Sequence, residues 1–181
     1  MGVVMLMGLN SSVIKATVSG DLVPDSAAVQ VQLGISRKLF CADGAYVVNS
    51  EGVVVAHATV GNSSTGVKLG FRPSFKNALG GTPNCYAAVG TVTNDRGLYY
   101  AAPVWEDATQ TSPLIGVVML KLPPTRVDQL LRFAGATTLL LSPQGVSFAS
   151  ARDEWFVEHE PASQPCAAGR HSQAQAVWQP V

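Results

Sequence analysis

The sequence predicts an α+β fold: a five-stranded antiparallel sheet flanked by helices, followed by the start of a second, similar subdomain. Three observations predict it. Residues 10–40 carry helical spacing and no strand pattern. From Gly44 onward, short runs rich in Val, Ala and Tyr alternate with polar turns that contain glycine, the mark of antiparallel hairpins. The segment Tyr46 to Ala56 also has an echo at Leu139 to Ala149: an apolar run, a polar turn closing on glycine, and a second run. Repetition of that kind predicts a second unit beginning near residue 136, the alternative being simply that hairpins look alike.

Val13, Ile14, Thr17 and Val18 form a modest apolar stripe that Gly20 and Asp21 close. A second helical run extends from Asp25 to Phe40, opened by the capping sequence Pro24-Asp25-Ser26 and weakened by Gly34. Val29, Leu33, Ile35 and Phe40 supply its apolar positions and fit helical spacing only roughly. Ala45 to Asn49 and Gly52 to Ala58 read as a hairpin around Ser50-Glu51-Gly52. Residues 59–70 form a loop rich in Gly, Ser and Thr. A short helix follows near 73–80, with Pro73 suited to its first turn and Gly80-Gly81 ending it. Tyr86 to Val92 and Gly97 to Val104 are antiparallel partners joined by Asn94-Asp95-Arg96-Gly97. Leu114 to Leu122 is nearly all apolar, as a central strand covered on both faces requires, and Pro123-Pro124 halts it. Thr125 to Phe133 is a short amphipathic helix with Val127, Leu130 and Leu131 inward. Thr138 to Leu141 and Val146 to Ser150 form a last hairpin. Pro161 to Val181 has no periodicity, which predicts a disordered or poorly packed tail. The resulting organisation is a domain over 9–135, a partial second subdomain over 136–160, and a tail over 161–181.

Hydrophobic residues make up 47 % of the chain, enough for a sizeable core, and charged residues only 13 %. Lys and Arg number 12 against 12 Asp and Glu, so no global field steers the chain toward nucleic acid or an acidic membrane. No apolar run approaches the roughly 18–20 residues of a membrane span. Met1 to Leu9 is apolar but short. It either packs on the domain or is the end of a hydrophobic segment cut off by the start of the chain. Cys41, Cys85 and Cys166 are too scattered for a zinc site. Apolar neighbours make Cys41 and Cys85 read as small buried thiols, while Cys166 falls in the polar tail. The chain has no Gly-x-Ser-x-Gly elbow and no phosphate-cradling Gly-x-x-x-x-Gly-Lys. His57 reads as a surface histidine at a strand end, His159 and His171 bring no partner, and Asp95-Arg96 reads as turn chemistry. The expectation is a protein that is not an enzyme, with no cofactor and no metal.

What remains is chemistry suited to holding a small anion. Arg72 offers a planar fork of donors that matches a carboxylate, and the start of a short helix adds backbone N–H groups. The alternative is an exposed arginine paired with a neighbouring acid. Lys121 ends an otherwise apolar run; it either emerges at the sheet end and reaches for water or points its ammonium into a pocket. Thr91 and Thr93 share one strand face, where their hydroxyls either bind an anion or simply favour the strand. Tyr86 and Tyr99 are half-buried sheet residues with hydroxyls in reach of a guest.

The run Phe71-Arg72-Pro73-Ser74-Phe75, followed by Gly90-Thr91-Val92-Thr93-Asn94-Asp95-Arg96-Gly97-Leu98-Tyr99, resembles the membrane-distal half of a double Cache (PAS-like) sensor domain. The resemblance covers roughly residues 9–160, and is nearest to the extracytoplasmic sensors of C4-dicarboxylate-type histidine kinases. Diguanylate cyclases and chemoreceptors share the module. The resemblance implies a PAS-like sheet with a ligand pocket on one face. It implies that Arg72 grips a carboxylate, with Thr91 and Lys121 at matching positions. Where relatives usually carry Tyr after the proline, this chain has Ser74, which removes an aromatic wall and a phenol donor. Candidate ligand-binding residues are therefore Arg72, Ser74, Phe75, Tyr86, Thr91, Thr93, Tyr99 and Lys121. The implied role is an extracytoplasmic, periplasmic sensory module of a membrane-anchored receptor. It would bind a small carboxylate-like ligand, order the loop 59–80 around it, and relay occupancy to an output domain outside this chain. The long N-terminal stalk helix of such kinases is missing or very short here, which makes the chain read as a fragment. Membrane contact would come only through segments absent from the chain, no nucleic acid is expected, and a homodimer is a further option. The rival role is a structural or dimerisation module with a vestigial pocket.

Overall fold

The computed structural model describes residues 1–19, 27–60, 63–90, 95–107, 110–133, 138–141 and 147–152. Three helices lead: α1 (Gly2–Gly8), α2 (Ser11–Ser19) and α3 (Ala27–Leu39). The apolar start of the chain packs on the domain, with Val4 and Met7 buried in its core. At the entrance to α2, Asn10 Oδ1 accepts the Ser12 N–H at 2.9 Å. The proposed cap of α3, Pro24-Asp25-Ser26, lies outside the described residues. Along α3, Val29, Leu33 and Ser36 are buried, while Val31, Ile35 and Leu39 are exposed. Ile35 faces outward, because the inward stripe runs through 29, 33 and 36 at helical spacing, which is why the apolar positions of this run fit a helix only roughly.

The strands β1 (Gly44–Asn49) and β2 (Val54–Thr59) form the expected hairpin, with the register slipping between Val47 and Val48. After α4 (Pro73–Leu79) come β3 (Asn84–Val89), β4 (Arg96–Trp105) and β5 (Leu114–Leu122). The five strands stand in the order β2-β1-β5-β4-β3. Both β1 and β4 pair antiparallel with β5, which is central as its apolar composition requires. The third strand begins two residues earlier than expected, at Asn84. Cys85, on this edge strand, is exposed rather than buried, and Cys41 is half-buried; apolar neighbours in sequence do not bury the outward position of an edge strand.

Two compact units divide the chain: residues 1–86 with 98–122, and residues 87–97 with 123–181. In the first, Ala45 and Val47 of β1, Ala56 of β2, Ala102 and Val104 of β4, and Val118 and Leu120 of β5 meet Val13, Val29 and Leu33 of α2 and α3 in one core. All seven sheet residues alternate onto the same face, so the other face is left for different chemistry.

The second unit holds α5 (Thr125–Phe133) and the two-stranded hairpin of β6 (Leu139–Leu141) and β7 (Ser147–Ser150). Pro124 and Asp128 are buried, and Val127 and Leu131 half-buried, at i, i+3, i+4, i+7 spacing. Leu130 falls off that stripe and is exposed, contrary to expectation. Arg96 is more than turn chemistry. Its Nη2 pairs with Asp128 Oδ2 at 3.1 Å, and its Nη1 donates to Asp128 Oδ1 at 3.3 Å and to the Phe148 carbonyl at 2.6 Å. That fork ties the helix to the hairpin. The turn 142–146 and the tail 161–181 lie outside the described residues.

Candidate functional site

Opposite the helix-covered core, strand pairing sets Thr59, Gly44, Lys121 and Tyr99 in one row across the sheet. The next row on that face is His57, Tyr46, Met119 and Ala101. Side chains directly opposite on paired strands share a face and touch. Lys121, the second-to-last residue of β5, lies on this face and is only 2 % exposed, so it does not reach out to water.

Tyr46 enters this face in a way the sequence did not announce. A side chain on Gly44 would collide with the Tyr46 ring and hydroxyl, so the phenol lies over the glycine. Only glycine leaves that room two residues before the tyrosine. Because Gly44 pairs with Lys121, the arrangement brings the Tyr46 hydroxyl toward the Lys121–Tyr99 row. Burial first, then Tyr99 and Asp43, push the Tyr46 phenol well above its ordinary pKa, while Arg72 pulls the other way. Tyr46 therefore stays a neutral hydrogen-bond donor.

Arg72 is delivered by the loop ahead of α4. The Gly52 carbonyl accepts the Leu69 N–H at 2.7 Å, and Gly70 packs backbone to backbone on Gly52, whose φ of +82° favours glycine. Val54 donates to Val67 and accepts from Gly66. His57 Nε2 accepts the Ser64 N–H at 3.3 Å, and its Nδ1 lies 3.0 Å from Thr65 Oγ1. Residues 63–70 are thus pinned to the β1–β2 hairpin before any guest arrives, whereas the sequence suggested a loop that orders on binding. His57 is half-buried rather than a plain surface residue, and burial lowers its pKa.

Arg72 caps α4 with an extended backbone, and Pro73 occupies the first helical position. The guanidinium carbon sits 5.2 Å from the Tyr99 ring centroid and 5.5 Å from that of Phe71. Two aromatic faces around one cation stabilise its placement and fix its plane. The residue is 7 % exposed, so the alternative of an arginine in open solvent does not hold. The helix has 7 residues and its proline has no N–H, so attraction for an anion falls to the guanidinium rather than to the helix end.

Of the expected site residues, Arg72, Tyr99 and Lys121 come together with Tyr46 on this face. Ser74 is buried in the first turn of α4. Phe75 is buried beside Gly52 and holds the loop from below. Tyr86 is half-buried on β3. Thr91 and Thr93 lie outside the described residues. Among the described residues, no group of three His, Cys, Asp or Glu is placed to hold a metal, and no helix is long and apolar enough to cross a membrane.

No protein-family model matches the chain. The C4-dicarboxylate transport sensor protein DctB of Pseudomonas aeruginosa is 26 % identical over 142 residues, which are 77 % of this chain and 22 % of that protein. The chain thus spans about a fifth of the curated relative it matches. The sensor domain of the histidine kinase DctB from V. cholerae superposes with a TM-score of 0.72 at 21 % identity, over 88 % of this chain and 63 % of that one. The ligand-binding domain of the Campylobacter jejuni chemoreceptor Tlp3, solved with L-valine, gives a TM-score of 0.57 at 17 % identity, over 82 % and 65 %. The expected fold is met: the five-stranded antiparallel sheet with flanking helices is that of a Cache-type sensor domain.

Proposed function

We propose that this chain is the ligand-binding part of an extracytoplasmic receptor, and that it holds a small carboxylate between β1, β4, β5 and α4. One observation carries the reading. Two cationic side chains, Arg72 and Lys121, are drawn almost wholly out of water onto one face of the sheet, beside the phenols of Tyr46 and Tyr99. In this low-dielectric setting a carboxylate gains bidentate bonds from the guanidinium and charge pairing from the ammonium. The relatives support the class: one is named for C4-dicarboxylates, another was solved with L-valine, and both kinds of molecule carry a carboxylate.

Signalling requires a guest that binds one arrangement of the module better than another, since equal affinity shifts nothing. The output domain and the membrane anchor would belong to segments outside this sequence, and no part of the proposal requires turnover. We further propose that residues 136–160 open a second subdomain of the same kind.

The test is a titration of wild type, Arg72→Ala and Arg72→Lys with a panel of small carboxylates, read by thermal shift and calorimetry. Loss of one charge-assisted pair should weaken binding roughly 30-fold. Equal stabilisation of wild type and Arg72→Ala would remove Arg72 from the site. The rival, a dimerisation module with a vestigial pocket, has the exposed Val31, Ile35 and Leu39 of α3 on its side. A chain that self-associates in sedimentation and binds no carboxylate would favour it.

A further inference from the structure

The loop that delivers Arg72 is tied to the β1–β2 hairpin in two ways. Residues 66–69 are held by backbone bonds. The Gly66 N–H donates to the Val54 carbonyl at 2.9 Å, the Val54 N–H to the Val67 carbonyl at 3.0 Å, and the Leu69 N–H to the Gly52 carbonyl at 2.7 Å. Residues 64 and 65 are held by the His57 ring, whose Nε2 accepts the Ser64 N–H at 3.3 Å and whose Nδ1 lies 3.0 Å from Thr65 Oγ1. The tie continues into the site, because the Leu69 carbonyl accepts the Arg72 N–H at 3.0 Å. Backbone amides do not titrate near neutral pH, whereas an imidazole does.

An imidazolium carries a proton on both nitrogens and accepts on neither. Protonation turns Nε2 from the acceptor of the Ser64 N–H into a second donor facing it. Ser64 is 6 % exposed, so water does not take over as acceptor while the loop stays in place. The clash is relieved when residues 63–65 move off β2. Tyr46 stands opposite His57 on β1, and Asp43 and Arg72 are near enough to Tyr46 to act on its phenol. Lys121 and Tyr99 occupy the next row of the same face, and Lys68 of the loop is exposed.

We infer that His57 is an acid-sensitive latch: protonation of its ring frees residues 63–65 from β2 and thereby weakens the hold of the Arg72 face on its guest. The inference rests on the carboxylate reading of that face. A guest that needs the pinned loop expels the proton on binding. Affinity is therefore complete above the ordinary imidazole value of 6.5 and falls as pH drops through the lower folded-state value that burial produces. The backbone bonds of residues 66–69 persist and keep the loss modest. The added charge acts the other way, because an imidazolium on this face would by itself attract a carboxylate. The sign of the pH dependence thus separates a latch from simple charge attraction.

Calorimetric titration of the full chain with succinate and with L-valine, at about pH 7 and about pH 5, compares wild type with His57→Gln. The glutamine amide keeps an acceptor for Ser64 and does not titrate. Protonation of the guest is common to both proteins and cancels. Wild type should lose about threefold more affinity than the variant over this step. Hydrogen exchange of the guest-free chain should show protection at Ser64 falling about threefold in acid, with Val117 to Leu120 unchanged. That measurement carries the test if His57→Gln folds poorly. Equal losses in the two proteins, tighter binding by wild type in acid, or unchanged protection at Ser64 overturns the latch. If both guests bind through Arg72 and the pH dependences of the two proteins match, only this inference falls. If neither guest binds in an Arg72-dependent way, the carboxylate reading falls and takes the latch with it.

Discussion

In the hairpin of β1 and β2, Val47 pairs with Ala56, and the register slips by one residue before Val48 meets Val54. In the hairpin of β6 and β7, Leu140 pairs with Ala149, and the register slips before Leu141 meets Ser147. These are the same positions of the sequence echo, so the two segments share both pairing and bulge. Their surroundings differ. Val47 and Val48 are fully buried within a five-stranded sheet, whereas Leu139, Leu140 and Leu141 are exposed in a two-stranded one. The positions that carry Tyr46 and His57 in the first hairpin carry Leu139 and Ser150 in the second. Local sequence is thus enough to specify a bulged hairpin, but the neighbours decide what it does. The first hairpin gains β5 on one side and the pinned loop 63–70 on the other, and those bring it Lys121 and Arg72. An isolated two-stranded hairpin is marginal in water, and the second is held by α5 through the Arg96–Asp128 fork.

Matched truncations probe this contrast most strongly. Val47→Ala should destabilise the first unit by about 2 kcal/mol, since it empties a fully packed site. Leu140→Ala removes more carbon but from an exposed position, and should cost about 0.5 kcal/mol or less. Urea denaturation measures both. Equal losses would mean that the second hairpin is as deeply packed as the first, and the contrast would fail.

Asp128→Asn acts on the link between α5 and the second hairpin. It removes the charge from a pair whose side chains are 18 % and 11 % exposed, while leaving one acceptor for Arg96. A loss of about 1.5 kcal/mol is expected, at the low end for hydrogen bonds to charged groups. Hydrogen exchange should speed up at Phe148 to Ser150 and stay unchanged at Val117 to Leu120. Faster exchange in both places would show that the fork supports the whole chain.

Much of this was legible in the residues, and what was not has identifiable reasons. The sheet strands were readable because alternation and glycine turns are local signals. Arg72 and Lys121 stood out because each interrupts an apolar context. The Arg96–Asp128 pair escaped notice because the partners lie 32 residues apart on elements of different type. Leu130 was assigned inward because it is apolar, yet it sits off the stripe that its neighbours define. Tyr46 was missed as a site residue; the signal was Gly44 two positions before it, on the same strand face. The loop 59–80 was expected to order on binding, from its Gly and Ser content, because the Gly52–Gly70 contact and the His57 bonds that hold residues 63–70 are tertiary.

The smallest effect concerns His57, which separates the hairpins by pH. Its Nε2 accepts the Ser64 N–H, so the ring must be neutral there, with its proton on Nδ1 toward Thr65. Burial lowers the folded-state pKa below the ordinary value of 6.5. Between that lowered value and 6.5 the unfolded chain binds more protons than the folded one, so stability rises with pH across the window. The contribution is complete above 6.5 and is lost as pH falls through the folded pKa. Partial exposure screens the effect, and a change in Tm of about 1 °C between pH 7 and pH 5 is expected from this residue. The second hairpin has Ser150 at the equivalent position and should contribute nothing from that site. The measurement is the difference between wild type and His57→Gln, whose amide keeps an acceptor for Ser64. If the two melt with the same pH dependence, the imidazole does not hold the loop, and the pinning of residues 63–70 must come from the backbone bonds to Gly52 and Val54 alone.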